Sequence, residues 1–382
     1  MSAVLAEPDG HGAAHVAQLW LANFRCFSDA NVTLPPGLTV VDGNNGQGKT
    51  SLLEAVGWVA RARSFRGVPD AQLVRRDAES AIVRAEVVHD ARTQLFEAEI
   101  RVAGRNRILC NKQTVTRTRD LHGLLRVTVF APDDLALVKD GPSERRTYLD
   151  ELLVMLAARY DAARADYERV LKQRNALLRR GLRDEHAGAT REVFDEQLVT
   201  AGSELVRGRL RLIERLLPAV TGAYASVAGP EAAEVSARYE ADWGEDGAPE
   251  VHPDAVDVLL RDALARRRSA EIERGVTLVG PHRDEWHLEL GGLDARTQAS
   301  QGEQRSLALA LRLAGHAVVT ELVGAAPVLL LDDVFSELDA ARATALVRNL
   351  PKGQTLITTA GHLPEDVIPD VTVHVERGVI RT

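Results

Sequence analysis

The stretch that decides the fold is Gly43-Asn44-Asn45-Gly46-Gln47-Gly48-Lys49-Thr50, which matches the phosphate-binding loop pattern G-x-x-x-x-G-K-[ST] at every position. The apolar run 38–41 precedes it, and from Ser51 onward apolar residues recur at helical spacing. Strand, glycine-rich loop and helix form the context that this motif requires. The octet therefore predicts a loop whose backbone N–H groups hold nucleotide phosphates.

The last two residues of this loop have separate expected roles. Lys49 is expected to reach the β- and γ-phosphates and to take part in catalysis, and the Thr50 hydroxyl is expected to ligate Mg²⁺. The alternative is a chance glycine-rich turn, and the fit of both flanks disfavours it.

A second half-site is predicted near the other end of the chain. Val328-Leu329-Leu330-Leu331 is an apolar run typical of a strand buried on both faces of a parallel sheet, and Asp332-Asp333 follow it. Asp332 is predicted to hold Mg²⁺, and Asp333 to orient or deprotonate the attacking water. Taken alone, two aspartates capping a helix would be the simpler interpretation.

The third element is Ser300-Gln301-Gly302-Glu303-Gln304-Arg305-Ser306, which precedes an apolar helical stripe. It resembles the signature motif of the ATP-binding-cassette ATPases, which closes on the γ-phosphate held by another subunit. Ser300 with Glu303 is also a capping box, so an ordinary helix start is the alternative. Its place before the Asp332 strand favours the signature, and Ser336-Glu337-Leu338-Asp339 then falls at the position of the D-loop.

With these residues placed, the chain resembles the RecF family, bacterial recombination-mediator ATPases of the SMC-like cassette branch. The resemblance runs from about residue 19 to the C-terminus, and Phe194 departs from it where Trp is expected. The further segments that carry it are Leu21-Ala22-Asn23-Phe24-Arg25, Ser64-Phe65-Arg66, Phe130-Ala131-Pro132-Asp133-Asp134-Leu135, Gly141-Pro142-Ser143, Val170-Leu171-Lys172-Gln173-Arg174-Asn175 and Gly280-Pro281-His282-Arg283-Asp284.

The resemblance implies an α/β fold, with an ABC-type P-loop ATPase core built from both chain ends and an inserted, mostly helical domain. It implies that ATP and Mg²⁺ bind, with Ser300, Gly302 and Gln304 of one subunit completing the ATP site of another in a homodimer. It also implies binding to duplex and gapped DNA near single-strand junctions, with RecR and RecO as partners in loading a recombinase. Aspartate at 333, where transport ATPases usually have glutamate, suggests slow hydrolysis.

Two other classes of protein remain as alternatives. The first is the cytosolic ATPase of a transporter, which Thr359 disfavours because transporters place a histidine there; the Phe130 segment also lacks their glutamine. The second is a small-molecule kinase, which would explain the phosphate loop and would leave Ser300–Ser306 unexplained.

Composition agrees with a cytoplasmic enzyme. The chain has 382 residues, of which 45% are hydrophobic, so two or three domains with substantial cores are expected. The sequence contains no apolar run of eighteen residues, so no membrane span is expected. Cys26 and Cys110 are too few for a cysteine-based metal site. The net charge of −8 limits any DNA site to a local basic patch.

The order of the motifs predicts four segments. These are a flexible tail at 1–18, an ATPase lobe at 19–142, an inserted helical domain at 143–268, and the rest of the ATPase lobe at 269–382. The regions 80–88, 93–102 and 107–115 alternate as strands do, so an antiparallel sheet is expected in the first lobe.

Two clusters of positive charge are the candidate DNA contacts, through phosphates and not bases. For each cluster, a solvated face with local ion pairs is an equal alternative. The candidate residues are Arg105, Arg107, Lys112, Arg117 and Arg119 in the first cluster, and Lys172 and Arg174 in the second.

Overall fold

The fold was obtained as a computed structural model that describes residues 13–89, 92–116, 121, 124–180, 187–229, 232–244, 252–337, 340–361 and 367–381. The chain divides into two compact units. The first takes the chain up to Asp134, Gly222–Ala232 and Arg305–Thr382, and the second takes Leu135–Thr221 and Ala233–Gln304.

The first unit contains an antiparallel sheet with the strand order β2-β1-β4-β5-β6-β7. Its strands alternate between buried and exposed residues, as expected for a sheet with one face on a core. The strands are β1 (His15–Phe24), β2 (Phe27–Thr33), β4 (Ser80–His89), β5 (Arg92–Arg101), β6 (Arg107–Cys110) and β7 (Gln113–Thr114).

A second, mostly parallel sheet of the same unit has the order β15-β14-β3-β13-β12-β8. All four residues of β12 and all five of β13 are buried, which explains their continuous apolar or β-branched sequences. The strands are β3 (Leu38–Asp42), β8 (Val127–Phe130), β12 (Val328–Leu331), β13 (Thr355–Thr359), β14 (Val371–Glu376) and, antiparallel at the edge, β15 (Val379–Arg381).

Helix α1 (Lys49–Arg61) lies between the two sheets. It contacts β1 and β4 of the antiparallel sheet and β8 and β13 of the parallel sheet. Residues Leu52–Ala60 are therefore all buried, and the ring of Trp58 meets that of Phe96 edge-on, with centroids 6.2 Å apart. This burial on every side is what fixes the start of α1, and with it the phosphate loop, against both sheets.

Helices of the C-terminal part complete the first unit. Helix α8 (Ala340–Arg348) follows a 3₁₀ turn at Val334–Glu337. Helix α7 (Gln301–Val323) is long and apolar enough to cross a membrane by length and composition, and 67% of its most apolar stretch is buried within the protein. A core helix passes the same test, and Leu307–Leu311 of α7 are fully or almost fully buried.

The second unit is mainly helical and carries a three-stranded antiparallel sheet of order β11-β10-β9. Tyr148 stacks on Trp286 between helix and sheet, with ring centroids 6.4 Å apart. The elements are α2 (Ala136–Lys139), α3 (Pro142–Leu156), α4 (Ala158–Arg180), α5 (Ala187–Ala228), β9 (Val235–Glu240), α6 (Val256–Arg274), β10 (Glu285–Leu290) and β11 (Leu293–Asp294).

The structure changes all three predicted boundaries. The second unit begins at Leu135 and not at residue 143. The second unit runs to Gln304 and not to residue 268, because β10 pairs with β9 and so belongs with the helical unit. Strand β9 lies within the segment 143–268, which was predicted to be mostly helical. The predicted tail 1–18 is too long, since His15–Gln18 pair with β4 in the antiparallel sheet, and residues 1–12 lie outside the described ranges.

Candidate nucleotide-binding site

The phosphate loop joins β3 to α1 and needs glycine at both ends. Gly43 has φ 141°, and a Cβ there would come within 2.3 Å of the Val375 carbonyl oxygen. Gly48 has φ 119°, and a Cβ there would lie 2.4 Å from Cys26 Sγ. Only glycine combines this backbone conformation with so little space. The loop is thus held in one shape by its packing.

Gln47 secures the loop to the β14–β15 turn. Its side-chain Oε1 accepts a hydrogen bond of 2.6 Å from the Arg377 N–H, and its carbonyl accepts one of 3.2 Å from the Gly378 N–H. The side chain of Gln47 therefore holds the loop in place.

Lys49 opens helix α1 and is buried. Its Nζ donates to the carbonyl oxygens of Gly43 and Asn44 at 2.7 and 2.9 Å, so the ammonium lies inside the curve of the loop. Burial lowers its pKa, and the carboxylates of Asp333, Asp332 and Asp42 oppose that shift. A cation in this position is available to an anionic ligand of the loop.

Asp332 follows β12 and meets the start of α1 across the sheet edge. The Thr50 hydroxyl and the Thr358 hydroxyl, from α1 and β13, each donate to Asp332 Oδ1 at 2.8 Å. Burial raises the pKa of Asp332, and these two hydroxyl groups oppose that rise. Thr50 and Asp332, which are 282 residues apart in sequence, therefore form one cluster of oxygen atoms, as the prediction for a metal site requires.

Asp333 has φ 49°, which is uncommon for a residue other than glycine. Its N–H donates to Thr358 Oγ1 at 2.8 Å, and its carbonyl oxygen accepts from Ser336 Oγ at 2.8 Å. Asp333 lines a cavity of about 520 Å³ together with Lys49, Thr50 and Arg66. The two adjacent aspartates thus have different surroundings: Asp332 is buried, while Asp333 lines the open cavity.

A buried carboxylate holds Arg25, one of the arginines that line this cavity. Glu54, one turn after Thr50, is fully buried and receives two hydrogen bonds from the Arg25 guanidinium, at 2.8 and 2.9 Å, and one from the Ser64 hydroxyl. Arg25 and Arg66 both line the cavity. No local sequence pattern marks Arg25 or Arg66 for this site, although both lie in segments that carry the family resemblance.

Helix α7 begins at Gln301, within the segment Ser300–Ser306. The residues of this segment up to Gln304 belong to the second unit. Ser300 and Glu303 form the capping box: Ser300 N–H and Oγ donate to Glu303 Oε2 at 2.8 and 2.7 Å. Gly302 lies in the first turn of the helix. Gln304 is buried and its amide donates to the Ala295 and Arg296 carbonyls, so its side chain orders the preceding loop.

The predicted DNA contacts have mixed outcomes. The prediction is wrong for Arg174, which is 1% exposed and donates to Asp195 at 2.7 Å and to Glu271 at 2.6 Å. Lys172 is exposed on α4. Arg105, Arg107 and Lys112 are exposed in and beside β6, and this basic surface is called the β5–β6 edge below. Arg117 and Arg119 lie outside the described residues.

Comparison with known proteins adds the family. The family model described as the RecF/RecN/SMC N terminal domain matches residues 15–362. A protein of Frankia alni named DNA replication and repair protein RecF is 47% identical over 357 residues, which cover 91% of this chain and 93% of the relative. This chain belongs to the RecF family.

Solved structures agree with this RecF assignment. The fold matches a structure described as the recombination mediator protein RecF-ATP in the RecFOR pathway, with a TM-score of 0.87 and 29% identity. That match covers 98% of this chain and 99% of the other. An Smc head domain of Pyrococcus furiosus also matches, with a TM-score of 0.56 and 16% identity over 96% of this chain and 95% of the other, and shows the shared ABC-type ATPase fold.

Proposed function

We propose that this RecF-family chain is an ATP-dependent DNA-binding protein of replication and recombinational repair, whose two copies close over ATP and separate after slow hydrolysis. The observation that carries the proposal is the convergence of Lys49, Thr50, Asp332 and Asp333 at one edge of the parallel sheet. This edge is where α/β folds bind nucleotides. A transporter ATPase or a small-molecule kinase has no comparable support, since the RecF resemblance covers nearly the whole chain.

The residues of the site fit Mg²⁺. Thr50 Oγ1 and Asp332 Oδ1 are hard oxygen donors 2.8 Å apart, beside the loop that would hold the phosphates. No group of three or more His, Cys, Asp or Glu that could hold a metal occurs in the part of the chain that the structure describes. This agrees with Mg²⁺, which is usually bound by one or two carboxylates together with substrate phosphates. When bound, Mg²⁺ neutralises charge on the β- and γ-phosphates.

Within one chain, each group has a defined task. The backbone N–H groups of the loop and Lys49 bind the phosphates of ATP, including the γ-phosphate. Asp333, in the open part of the cavity, orients the attacking water and takes its proton. The side chain of aspartate is one methylene shorter than that of glutamate, so it positions the attacking water less well. A displacement of the water on the order of 1 Å slows hydrolysis by about a hundredfold.

The second subunit completes the site. In the closed dimer the Ser300 hydroxyl would turn from Glu303 toward a γ-phosphate bound by the partner. The N–H groups of the first turn of α7, including that of Gly302, would donate to the same phosphate. Gln304 acts indirectly, through the loop that its amide orders. ATP then bridges two chains and favours the dimer because it binds the closed form more tightly than the single chain, and hydrolysis removes the bridge.

DNA contacts are proposed for α4 and α6 of the second unit. Buried Arg174 links α4 to Glu271 of α6, and Asn175 Oδ1 accepts from the Thr277 N–H at 2.7 Å. This connection brings the exposed cations of both helices onto neighbouring surfaces, where they could neutralise backbone phosphates. These cations are Lys172, Arg179, Arg180, Arg267, Arg268 and Arg274.

The β5–β6 edge is the weaker DNA candidate. Arg101 forms an ion pair of 2.7 Å with Glu99, and Arg107 lies opposite Glu99 in the strand register. Carboxylates thus offset part of the positive charge of this face. RecR and RecO are proposed as partners because the matching RecF-ATP structure is described within the RecFOR pathway.

The decisive experiment tests whether the ATP site is shared between subunits. Ser300→Arg places a bulky cation where the partner's γ-phosphate would approach, and it leaves Lys49 and Asp332 intact. We expect the Ser300→Arg chain to bind ATP and to lose both ATP-dependent dimers and hydrolysis. Light scattering at several ATP concentrations measures the dimer, and phosphate release measures hydrolysis.

A mixture of variants provides the control. Ser300→Arg mixed with Lys49→Met can assemble one intact composite site, so partial hydrolysis is expected from the mixture and none from either variant alone. Ser300→Arg also removes an N-cap, which costs about 1 kcal/mol, so its thermal midpoint is measured alongside. Full hydrolysis by Ser300→Arg alone would show that Ser300 is only a helix cap.

The DNA surface has its own test. Lys172→Glu is expected to weaken duplex binding and to leave ATP hydrolysis unchanged. The slope of the logarithm of the binding constant against the logarithm of salt concentration should fall by about 1, the value for one lost phosphate contact. Lys112→Glu, on the β5–β6 edge, is the matched control and is expected to have a smaller effect. A larger effect at Lys112 would move the proposed DNA surface to the first unit.

A further inference from the structure

The backbone of Asp333 is held at both ends by hydroxyl groups. The N–H donates to Thr358 Oγ1 and the carbonyl oxygen accepts from Ser336 Oγ, each at 2.8 Å. The residue between them has φ 49°, a conformation that is uncommon outside glycine, although aspartate adopts it more readily than most residues. These two contacts are therefore candidates for what keeps the carboxylate in place.

Thr358 has a central position in this arrangement. It lies in β13, which is hydrogen-bonded to β3 on one side and to β12 on the other, so it stands between the phosphate-loop strand and the Asp332 strand. Its hydroxyl accepts from the Asp333 N–H and donates its only proton to Asp332 Oδ1. Thr358 is fully buried at the border of the cavity that Asp333 lines.

We propose that Thr358 is a positioning residue for hydrolysis, which joins the Asp332 carboxylate to the Asp333 backbone and, with Ser336, fixes the Asp333 carboxylate toward the bound nucleotide. The inference rests on the proposed function, because it assigns a task within the same site. Hydroxyl-bearing side chains suit this task, since one oxygen both accepts and donates. A small misplacement of a catalytic group is enough to reduce the rate strongly.

The parallel sheet also supplies a matched control. Thr39 of β3 is fully buried like Thr358, and its hydroxyl has no hydrogen-bond partner among the described residues. Thr39 lies beside Leu356 of β13 in the register, two residues from Thr358 along that strand. Thr39→Val and Thr358→Val thus make the same chemical change in the same sheet, and only the second breaks hydrogen bonds of the site.

The test compares steady-state ATP hydrolysis and ATP affinity in full-length variants. Thr358→Val is expected to lower kcat by about 10- to 100-fold, with little change in ATP affinity, because the phosphate loop and Lys49 are untouched. Thr358→Ser is expected to restore most of kcat, and Thr39→Val to keep the parent value. Ser336→Ala, at an exposed site where folding is not at risk, is expected to lower kcat by a smaller factor.

The possible results separate the two proposals. Parent-like kcat in Thr358→Val, failure of Thr358→Ser to restore the rate, or an equal loss in Thr39→Val would overturn the positioning role while leaving the ATPase intact. If Thr358→Val does not fold, parent-like kcat in Ser336→Ala overturns the role, and a reduced kcat at unchanged ATP affinity supports it. Absence of ATP hydrolysis in the parent protein would overturn the proposed function and this inference together.

Discussion

Lys49 of the phosphate loop and Arg174 of α4 are both buried cations, and the sequence analysis assigned both to binding an anionic ligand. The structure separates them by their partners. Arg174 donates to two carboxylates and to Thr277, so its charge is compensated inside the protein. Among the described residues, Lys49 donates to two backbone carbonyls and to no carboxylate, and the aspartates act on it through longer-range attraction. A buried cation without a direct carboxylate partner is the one that remains available to a ligand.

The comparison predicts opposite consequences for removing each cation. Loss of Arg174 should destabilise the fold, because it leaves buried carboxylates of the protein without their cation. Loss of Lys49 should weaken ligand binding, because it leaves the phosphates of the ligand without theirs.

Arg174→Ala should lower the free energy of unfolding by about 3–5 kcal/mol, because it leaves Glu271, which is 1% exposed, as a buried charge without its partner. Urea unfolding followed by circular dichroism measures this. Lys172→Ala, two residues away and exposed, is the control and should change the free energy of unfolding little. Near-parent stability of Arg174→Ala would show that the ion pairs with Asp195 and Glu271 do not hold α4 to its neighbours.

Lys49→Ala should weaken ATP binding by about 1.5–3 kcal/mol through loss of a charge-assisted contact, and should abolish hydrolysis. Its free energy of unfolding should remain close to that of the parent, because two carbonyl oxygens at the loop can turn to water. Calorimetric titration with ATP and urea unfolding together measure both parts. Unchanged hydrolysis in Lys49→Ala would contradict the assignment of the whole nucleotide site.

His316 is a buried base whose ring, among the described residues, is bonded neither to a carboxylate, as Arg174 is, nor to a carbonyl, as Lys49 is. Neither ring nitrogen has a hydrogen-bond partner among the described residues, and burial lowers the pKa of His316 to about 4. The folded state therefore disfavours the protonated ring, so the stability due to the neutral ring is present above about pH 6.5 and is lost as the pH falls toward 4. Between pH 7 and pH 5 the loss amounts to about 2 kcal/mol.

His316→Leu should remove this part of the acid sensitivity. Urea midpoints of the parent and the variant should diverge as the pH falls from 7 to 5, with the variant more stable at pH 5. Parallel midpoints for His316→Leu and the parent would mean that the ring is hydrated in solution.

The smallest effect is expected at an exposed ion pair. Arg261 and Glu196 form a two-bond pair at 2.9 and 3.1 Å in the same unit as Arg174, and both side chains are at least half exposed. Water and salt screen such a pair, so Arg261→Ala should change the free energy of unfolding by less than about 1 kcal/mol. A loss as large as that for Arg174→Ala would show that burial is not what separates the two pairs.

The local parts of the site could be predicted from the amino-acid sequence alone. The loop Gly43–Thr50 is contiguous, and its glycines and flanking apolar runs specify strand, loop and helix without reference to the rest of the chain. The run Val328–Leu331 likewise indicated a buried strand ending in two aspartates, and the family resemblance joined the two segments into one ATPase core. The capping box at Ser300 and Glu303 was also visible, because its partners are three residues apart.

Features that depend on long-range pairing could not be predicted in this way and became apparent only in the folded chain. The order of β3, β13 and β12 brings Thr358 between Asp332 and Asp333, and no spacing in the sequence marks that threonine among the others of β13. The pairing of β9 with β10 moves the boundary of the helical unit to Gln304. The burial of Arg174 depends on Glu271, 97 residues away, and so its basic side chain looked like a surface charge. Local patterns encode backbone shape, whereas burial and charge compensation are set by residues that meet only after folding.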